Sequence, residues 1–312
     1  MATTLWHEVI TGAGTGYPLL VHETISLAGE GSNRFIHDTI PVPSPTAPLV
    51  IVSSWTDLQN INFDMAANYS LTRDLLTTDS DYYNVGHDFL PIGWDNSEVF
   101  SGTFNGNGHS ISGLTINLPS YADVGMFYQL SGANISDLDL LDVSVTGDEN
   151  VGALSGNCAG TQVTLVHVTG TVVGGMASSS TGGLLGVVSG SSIISRCSSL
   201  AEVFGGSEVG GLLGQLLNSA LHDCYAKGNV LGLLDKVGGL VGKSDYGTTK
   251  NSYAAPDRVT GGTKVGGLFG SVVRGGSLAC NITNCYAVCS VVATGGTPGG
   301  LIGYIDTGGL GI

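Results

Sequence analysis

From residue 124 onward, short apolar runs alternate with glycine and small polar residues at a nearly fixed spacing. Val209-Gly210-Gly211-Leu212-Leu213-Gly214 returns as Val237-Gly238-Gly239-Leu240-Val241-Gly242 and as Val265-Gly266-Gly267-Leu268-Phe269-Gly270, with looser copies starting at Val124, Val151, Thr181 and Pro298. The intervals are 27, 30, 28, 28, 28 and 33 residues, and a period of this size marks stacked units. A second half recurs too: Leu221-His222-Asp223-Cys224-Tyr225-Ala226, Ile282-Thr283-Asn284-Cys285-Tyr286-Ala287 and Ile194-Ser195-Arg196-Cys197, each leading to a valine. Each unit reads as three short apolar runs joined by turns. Strands rise about 3.3 Å per residue and run about 5–6 residues, so one unit predicts three strands, one coil of a solenoid. Within a unit no window combines helical periodicity with a cap. Ile135-Ser136-Asp137-Leu138-Asp139-Leu140 imitates a leucine-rich repeat, but no helical return segment follows. A propeller blade needs about 40–50 residues. The expected fold is all-β: a parallel β-helix, or β-solenoid, of about 28-residue coils, each bonded to its neighbours at about 4.8 Å per step.

The fourth position of the motif is always large and apolar (Phe127, Leu154, Leu184, Leu212, Leu240, Leu268, Leu301) and predicts an interior column. The fifth is Leu185, Leu213, Val241, Phe269 and Ile302 in the later coils. Strand alternation points it outward, as an apolar stripe for a loop or a partner; a bulge would instead turn both positions inward. The chain holds 50 glycines in 312 residues, well above the usual ~7%. Lacking Cβ, glycine permits tight corners and close approach of two walls.

The domain reading is a small N-terminal β region over 1–50, a capping helix region over 51–68, and the β-helix over 69–312. Residues 1–50 lack the repeat. Short runs at Leu5–Ile10, Leu19–Leu27, Phe35–Val42 and Leu49–Ser53 predict an antiparallel sheet beside the first coil. Ser54-Trp55-Thr56-Asp57 has the spacing of a capping box, with Leu58, Ile61 and Met65 on one helical face. Such a helix would cover unpaired backbone at the solenoid's open end. His7, His22 and His37, each followed by a carboxylate, are candidate metal ligands, although zinc signatures have shorter spacing; the competing reading is the polar side of a strand. Asp79, Asp81, Tyr82 and Tyr83, followed by Trp94, form an acidic and aromatic stretch. It suits sugar contact or calcium, which takes six to eight oxygens, or is an ordinary surface excursion. No other cofactor is indicated.

Residues 1–150 carry 18 acidic and two basic side chains, and residues 151–312 seven and eight, within a net charge of −15. The acidic front half argues against nucleic acid and anionic membranes as partners. No apolar run approaches the ~20 residues of a membrane span, and no charged and apolar leader opens the chain. The last coil begins at Pro298 and stops before its second half. Among six cysteines, Cys197, Cys224 and Cys285 occupy equivalent sites, with Ser252 between, as a column of inert thiols. Cys280 and Cys289 lie in the longest coil and are candidates for a disulfide. Cys158 has no evident mate.

The V-G-G-L-hydrophobic-G run followed by Cys-Tyr-Ala resembles the GLUG motif of bacterial surface proteins and IgA-protease-type adhesins. Phe100 to Leu114 resembles the segment that precedes GLUG repeats. The resemblance spans roughly 50–312. It implies a large, exported, surface-attached protein, and so adhesion or scaffolding. Met126 and Ala153 for Gly, Thr181 and Pro298 for Val, and Ser252 for Cys depart from the pattern. The expected function is a non-enzymatic extracellular surface or adhesion module. Its partners would be a cell-surface protein or glycan, or other copies of itself through the solenoid ends. One alternative is a carbohydrate-active β-helix enzyme or tail-spike-like glycan binder, using pairs among Asp79, Asp81, Asp88 and Asp95 or among Asp137, Asp139 and Asp142; glycosidases place two carboxyls about 5–9.5 Å apart. The other is a self-assembling filament protein. Gly12-Ala13-Gly14-Thr15-Gly16 matches neither a phosphate loop nor a dinucleotide fingerprint.

Overall fold

A computed structural model describes residues 49–83, 89–94, 98–177, 180–273 and 280–307. The chain divides into two compact units, Met1–Thr46 and Ala47–Ile312. The strands expected before residue 48 lie outside the described residues.

Every strand pairing in the second unit is parallel, between consecutive coils. The described residues form three sheets. A seven-stranded sheet takes one strand per coil: Phe127–Ser131, Ser155–Ala159, Leu185–Ser189, Leu213–Leu217, Val241–Asp245, Phe269–Val273 and Ile302–Asp306. A four-stranded sheet holds the Val-Gly starts of the motif, such as Val209–Gly210. The broad sheet opens with Leu49–Val52 paired to Asn68–Leu71 and continues through Thr103–Ser112, Asn134–Thr146 and Gln162–Val173. Leu49–Val52 is therefore the first described strand of the parallel sheet, and the expected antiparallel arrangement does not hold for it.

One coil contains five strand pieces rather than three. After Val209–Gly210 and Leu213–Leu217 come Ala220–His222, Tyr225–Ala226 and Val230–Gly232. The extra breaks are corners, one of them at Asp223, which takes a left-handed φ of 57°. The same corner recurs at Asn251 and Asn284, where Asn251 donates to Asp223 (3.0 Å) and Asn284 to Asn251 (3.1 Å). Asparagine and aspartate tolerate this conformation better than other chiral residues, and the amide bonds tie the corners together.

The motif's glycines follow from how thin the coil is. A Cβ on Gly211 would lie 2.8 Å from the Ala226 methyl across the interior, and one on Gly239 2.9 Å from that of Ala254. The third motif position and the alanine of Cys-Tyr-Ala therefore face one another. The sixth-position glycine packs on the preceding coil: a Cβ on Gly214 would sit 2.6 Å from Thr181 N. Leu154, Leu184, Leu212, Leu240 and Leu268 form the expected buried column. Phe127 pairs with Ser155 and so stands in the fifth column, the first copy being one residue short.

The fifth-position stripe is a correction. Leu185, Leu213, Val241 and Phe269 are fully buried, and Ile302 is half-buried at the last coil. Positions four and five straddle the corner between the four- and seven-stranded sheets, so the change of direction cancels alternation and both side chains face the core.

Ser54 caps a short helix, Trp55–Gln59, accepting from Asp57 N–H (3.0 Å). A 3₁₀ turn, Asn60–Phe63, follows. The Asp57 carboxylate accepts from the Ser53 N–H and hydroxyl, both at 3.0 Å. Burial opposes its charge, but these bonds and those to Ser54 prevail and hold its pKa below the ordinary 3.8. Trp55, Leu58, Ile61 and Met65 are buried.

Candidate functional site

The acidic and aromatic stretch is stitched onto the fold. Asp79 pairs with Arg73 (3.0 Å) and accepts from Leu76 N–H (2.9 Å). Burial opposes its charge, yet the Arg73 and Leu76 bonds outweigh it and keep its carboxyl below the ordinary range. Asp81 accepts from the Thr56 N–H (2.8 Å) and hydroxyl (3.0 Å), serving the first turn of the short helix. Tyr82 packs edge-on to Trp55 at 5.4 Å and donates to Gly113 O (2.9 Å). Of this set Tyr83 alone stands well out in solvent.

Trp94 belongs to a different group, which the sequence reading did not assemble. Its ring meets Tyr121 at 4.8 Å and Tyr128 at 5.9 Å, near right angles to both. Tyr128 lies between the register pairs Phe127–Ser155 and Gln129–Asn157, beside Gly156. It occupies the sixth motif position, where every later coil has glycine. In those coils the glycine lies against the preceding coil's backbone. In this first coil Tyr128 lies against Trp94 instead, so the three rings plug the start of the glycine seam. The signal was present in the sequence as the one sixth position without glycine, hidden by the missing residue in that copy.

An outward column runs Ser110, Asp139, His167, Ser198, Tyr225, Tyr253, Tyr286. Its last three rings stack at 5.1 and 4.9 Å, with planes within 7° and 1° of parallel, and Lys227 lies 5.3 Å from the Tyr225 centroid. His167 Nδ1 is 2.7 Å from Ser198 Oγ. The order Asp139–His167–Ser198 mimics a hydrolytic triad, but Ser198 is 1% exposed, so a substrate carbonyl has no access to its hydroxyl. Asp137 and Asp142 occupy left-handed bends (φ 56° and 52°) on either side of Asp139. Asp88 and Asp95 lie outside the described residues. In the second half three lysines are paired with acids: Lys236 with Glu208 (3.0 Å), Lys243 with Asp245 (2.6 Å) and Lys264 with Asp235 (3.4 Å).

The Cys280–Cys289 disulfide is a second correction. Cys289 is a free thiol whose sulfur faces Gly267 O at 3.7 Å. The Cys280 sulfur is 3.1 Å from Gly247 O and 3.4 Å from Ser244 Oγ. Cys280 immediately precedes the strand Asn281–Thr283, whereas Cys289 lies two strands on, between Tyr286–Ala287 and Ser290–Ala293. Cys224 and its equivalents act as backbone caps: Cys224 Sγ accepts from Cys197 N–H (3.3 Å), and Ser252 Oγ accepts from Cys224 N–H (3.1 Å). Burial pushes the Cys158 thiol up to about 12 and raises Cys224 as well. His7, His22 and His37 lie outside the described residues, and among the described residues no group of three or more His, Cys, Asp or Glu is arranged to hold a metal.

The model of the GLUG motif family matches residues 205–231. Halomucin of Haloquadratum walsbyi is 34% identical over 153 residues, which are 47% of this chain and 2% of halomucin's own length. A solved structure of a protein assigned as an immunoglobulin A1 protease from Bacteroides ovatus superposes with a TM-score of 0.60 at 21% identity, covering 84% of each chain; at that identity the likeness is one of fold. With the motif's glycines pinching consecutive coils together in register, this chain is a parallel β-solenoid that matches the GLUG motif over residues 205–231.

Proposed function

We propose that the chain is a non-enzymatic extracellular surface module, an adhesin or fibre segment that displays a stiff β-solenoid for binding. The observation that supports this best is the GLUG motif repeated in register, since the motif resembles that of exported surface-attached proteins. The similarity to halomucin over nearly half the chain adds to it. The carboxylates Asp79 and Asp81 are engaged by Arg73 and Thr56, which favours a structural role for them over a catalytic one. No helix among the described residues is long and apolar enough to cross a membrane. The partner would be a surface protein or glycan. Nucleic acid is disfavoured by the excess of acidic side chains.

The test has two arms. Protease applied outside intact producing cells is expected to remove the chain, and the purified chain to bind a cell surface or glycan array saturably. Release of reducing ends from a polysaccharide panel, abolished by Asp137→Asn or Asp139→Asn, would replace this reading with a glycan-active enzyme.

A further inference from the structure

Three Asn-x-Ser/Thr triplets occur in the chain: Asn68-Tyr69-Ser70, Asn134-Ile135-Ser136 and Asn281-Ile282-Thr283. This triplet is the acceptor signal for N-linked glycosylation of secreted chains. The fold gathers all three into one column of the broad sheet. Each asparagine is the first residue of its strand, and the register joins them through Thr103, Gln162, Ile193, Ala220 and Thr248. Those intervening residues differ in size and polarity, so the sheet itself does not call for asparagine at this position. The column faces outward within the stack. Asn134 lies in an interior coil and is exposed, as is Gln162 beside it, and Ile193 is 41% exposed. Asn281 is exposed in the same column. Residues i and i+2 of a strand share a face, so Ser136 and Thr283 stand on the outward side with them. Among the described residues neither the Asn134 nor the Asn281 amide has a hydrogen-bond partner, whereas Asn251 and Asn284 use theirs to tie corners. The first triplet differs, because Ser70 is 6% exposed and its hydroxyl accepts from the Asn107 amide (2.5 Å).

We infer that Asn134 and Asn281 are N-glycosylation sites, two glycans on one outward ridge. Five coil steps separate them, which is roughly 24 Å at the usual strand spacing. The inference rests on the extracellular reading above, since this modification belongs to exported chains. In the transfer, the asparagine Nδ2 attacks C1 of the first sugar of a lipid-linked glycosyl phosphate. The bond from C1 to the phosphate oxygen breaks, the lipid phosphate leaves with the electron pair, and the amide proton passes to a carboxylate of the transferase. Both acceptor strands are locked into the parallel ladder once the coils stack, so transfer belongs to the chain before it folds. A glycan on this column displaces no side chain of the core, and the finished coil accommodates it.

Peptide mapping and intact mass of the chain recovered from its producing cells test this, alongside its removal by external protease. Sugar mass is expected on the peptides that contain Asn134 and Asn281. Asn134→Gln and Asn281→Gln should each remove one glycan. Ser136→Ala and Thr283→Ala should do the same while leaving the acceptor amide in place. Glutamine already stands in this column at residue 162, so the glutamine variants should keep the parent's circular dichroism. Bare asparagines in chain that external protease removes would overturn this inference and leave the surface reading standing. Bare asparagines in chain that protease cannot reach would overturn both. Glycan that persists in Ser136→Ala and Thr283→Ala would also overturn the inference.

Discussion

At Cys224 one side chain serves two neighbours. Its sulfur accepts from the Cys197 N–H of the preceding coil and lies 3.0 Å from its own His222 carbonyl. Ser252 makes the same pair of bonds one coil later. Cys224→Ser should therefore be tolerated, whereas Cys224→Val, which leaves the Cys197 N–H buried without an acceptor, should cost about 1–3 kcal/mol in denaturant unfolding. Native Cys158 and Cys224 should resist alkylation at neutral pH, because burial holds both thiols protonated. Thr249 presents the opposite situation. It is fully buried in the column between Leu221 and Ile282, and among the described residues its hydroxyl has no partner. Thr249→Val keeps the shape and removes the orphaned group, so it should stabilise by roughly 1–2 kcal/mol by the same measurement. That the Cys and Ser positions formed a column was legible from spacing. What they do was not, since each bond links residues 27 or 28 apart and appears only once coils are stacked.

Glycine at the sixth motif position lets consecutive coils approach closely. A Cβ on Gly242 would come within 2.6 Å of Val209 N, while one on Gly300, at the third position of the last motif, meets nothing within 4 Å. Gly242→Ala should cost about 1–3 kcal/mol or more through forced backbone shifts, and Gly300→Ala should be close to neutral in thermal melts. The short helix and its neighbouring loop add a pH dependence. Asp57, Asp74 and Asp79 all have pKa values held below the ordinary 3.8; for Asp74 the Ser110 N–H is the largest cause. The carboxylates are thus more acidic folded than unfolded, so their contribution is present above about pH 4 and is lost as pH falls further. Thermal midpoints should stay level from neutrality to about pH 4 and then drop, less steeply in Asp79→Asn. The capping helix was readable because Ser54 and Asp57 lie within one turn. The outward stripe was misread because alternation holds within a strand, and position four lies in the bend before the strand that starts at position five.

Across the whole molecule, a period near 28 residues was enough to specify a solenoid, since a unit that cannot bury its own apolar face must stack on its neighbours. The sites were less legible. Tyr82 was expected at a binding surface and lies against Trp55, while Trp94 is joined by Tyr121 and Tyr128 from a later coil. Tyr128 reaches the glycine column through the one-residue shortening of the first repeat, which only register reveals. The most direct measurement is the spin–spin distance between outward positions of the seven-stranded sheet, with native cysteines exchanged for serine and labelled chain diluted in unlabelled. Asn157, Val187, Gln215, Lys243, Ser271 and Tyr304 follow one another in register. At about 4.8 Å per coil, labels at Val187 and Tyr304 should lie roughly 19 Å apart, and labels at Asn157 and Tyr304 roughly 24 Å. Narrow distributions that lengthen by one strand spacing per coil are the predicted result; distances that do not grow with the number of intervening repeats would contradict the in-register parallel solenoid.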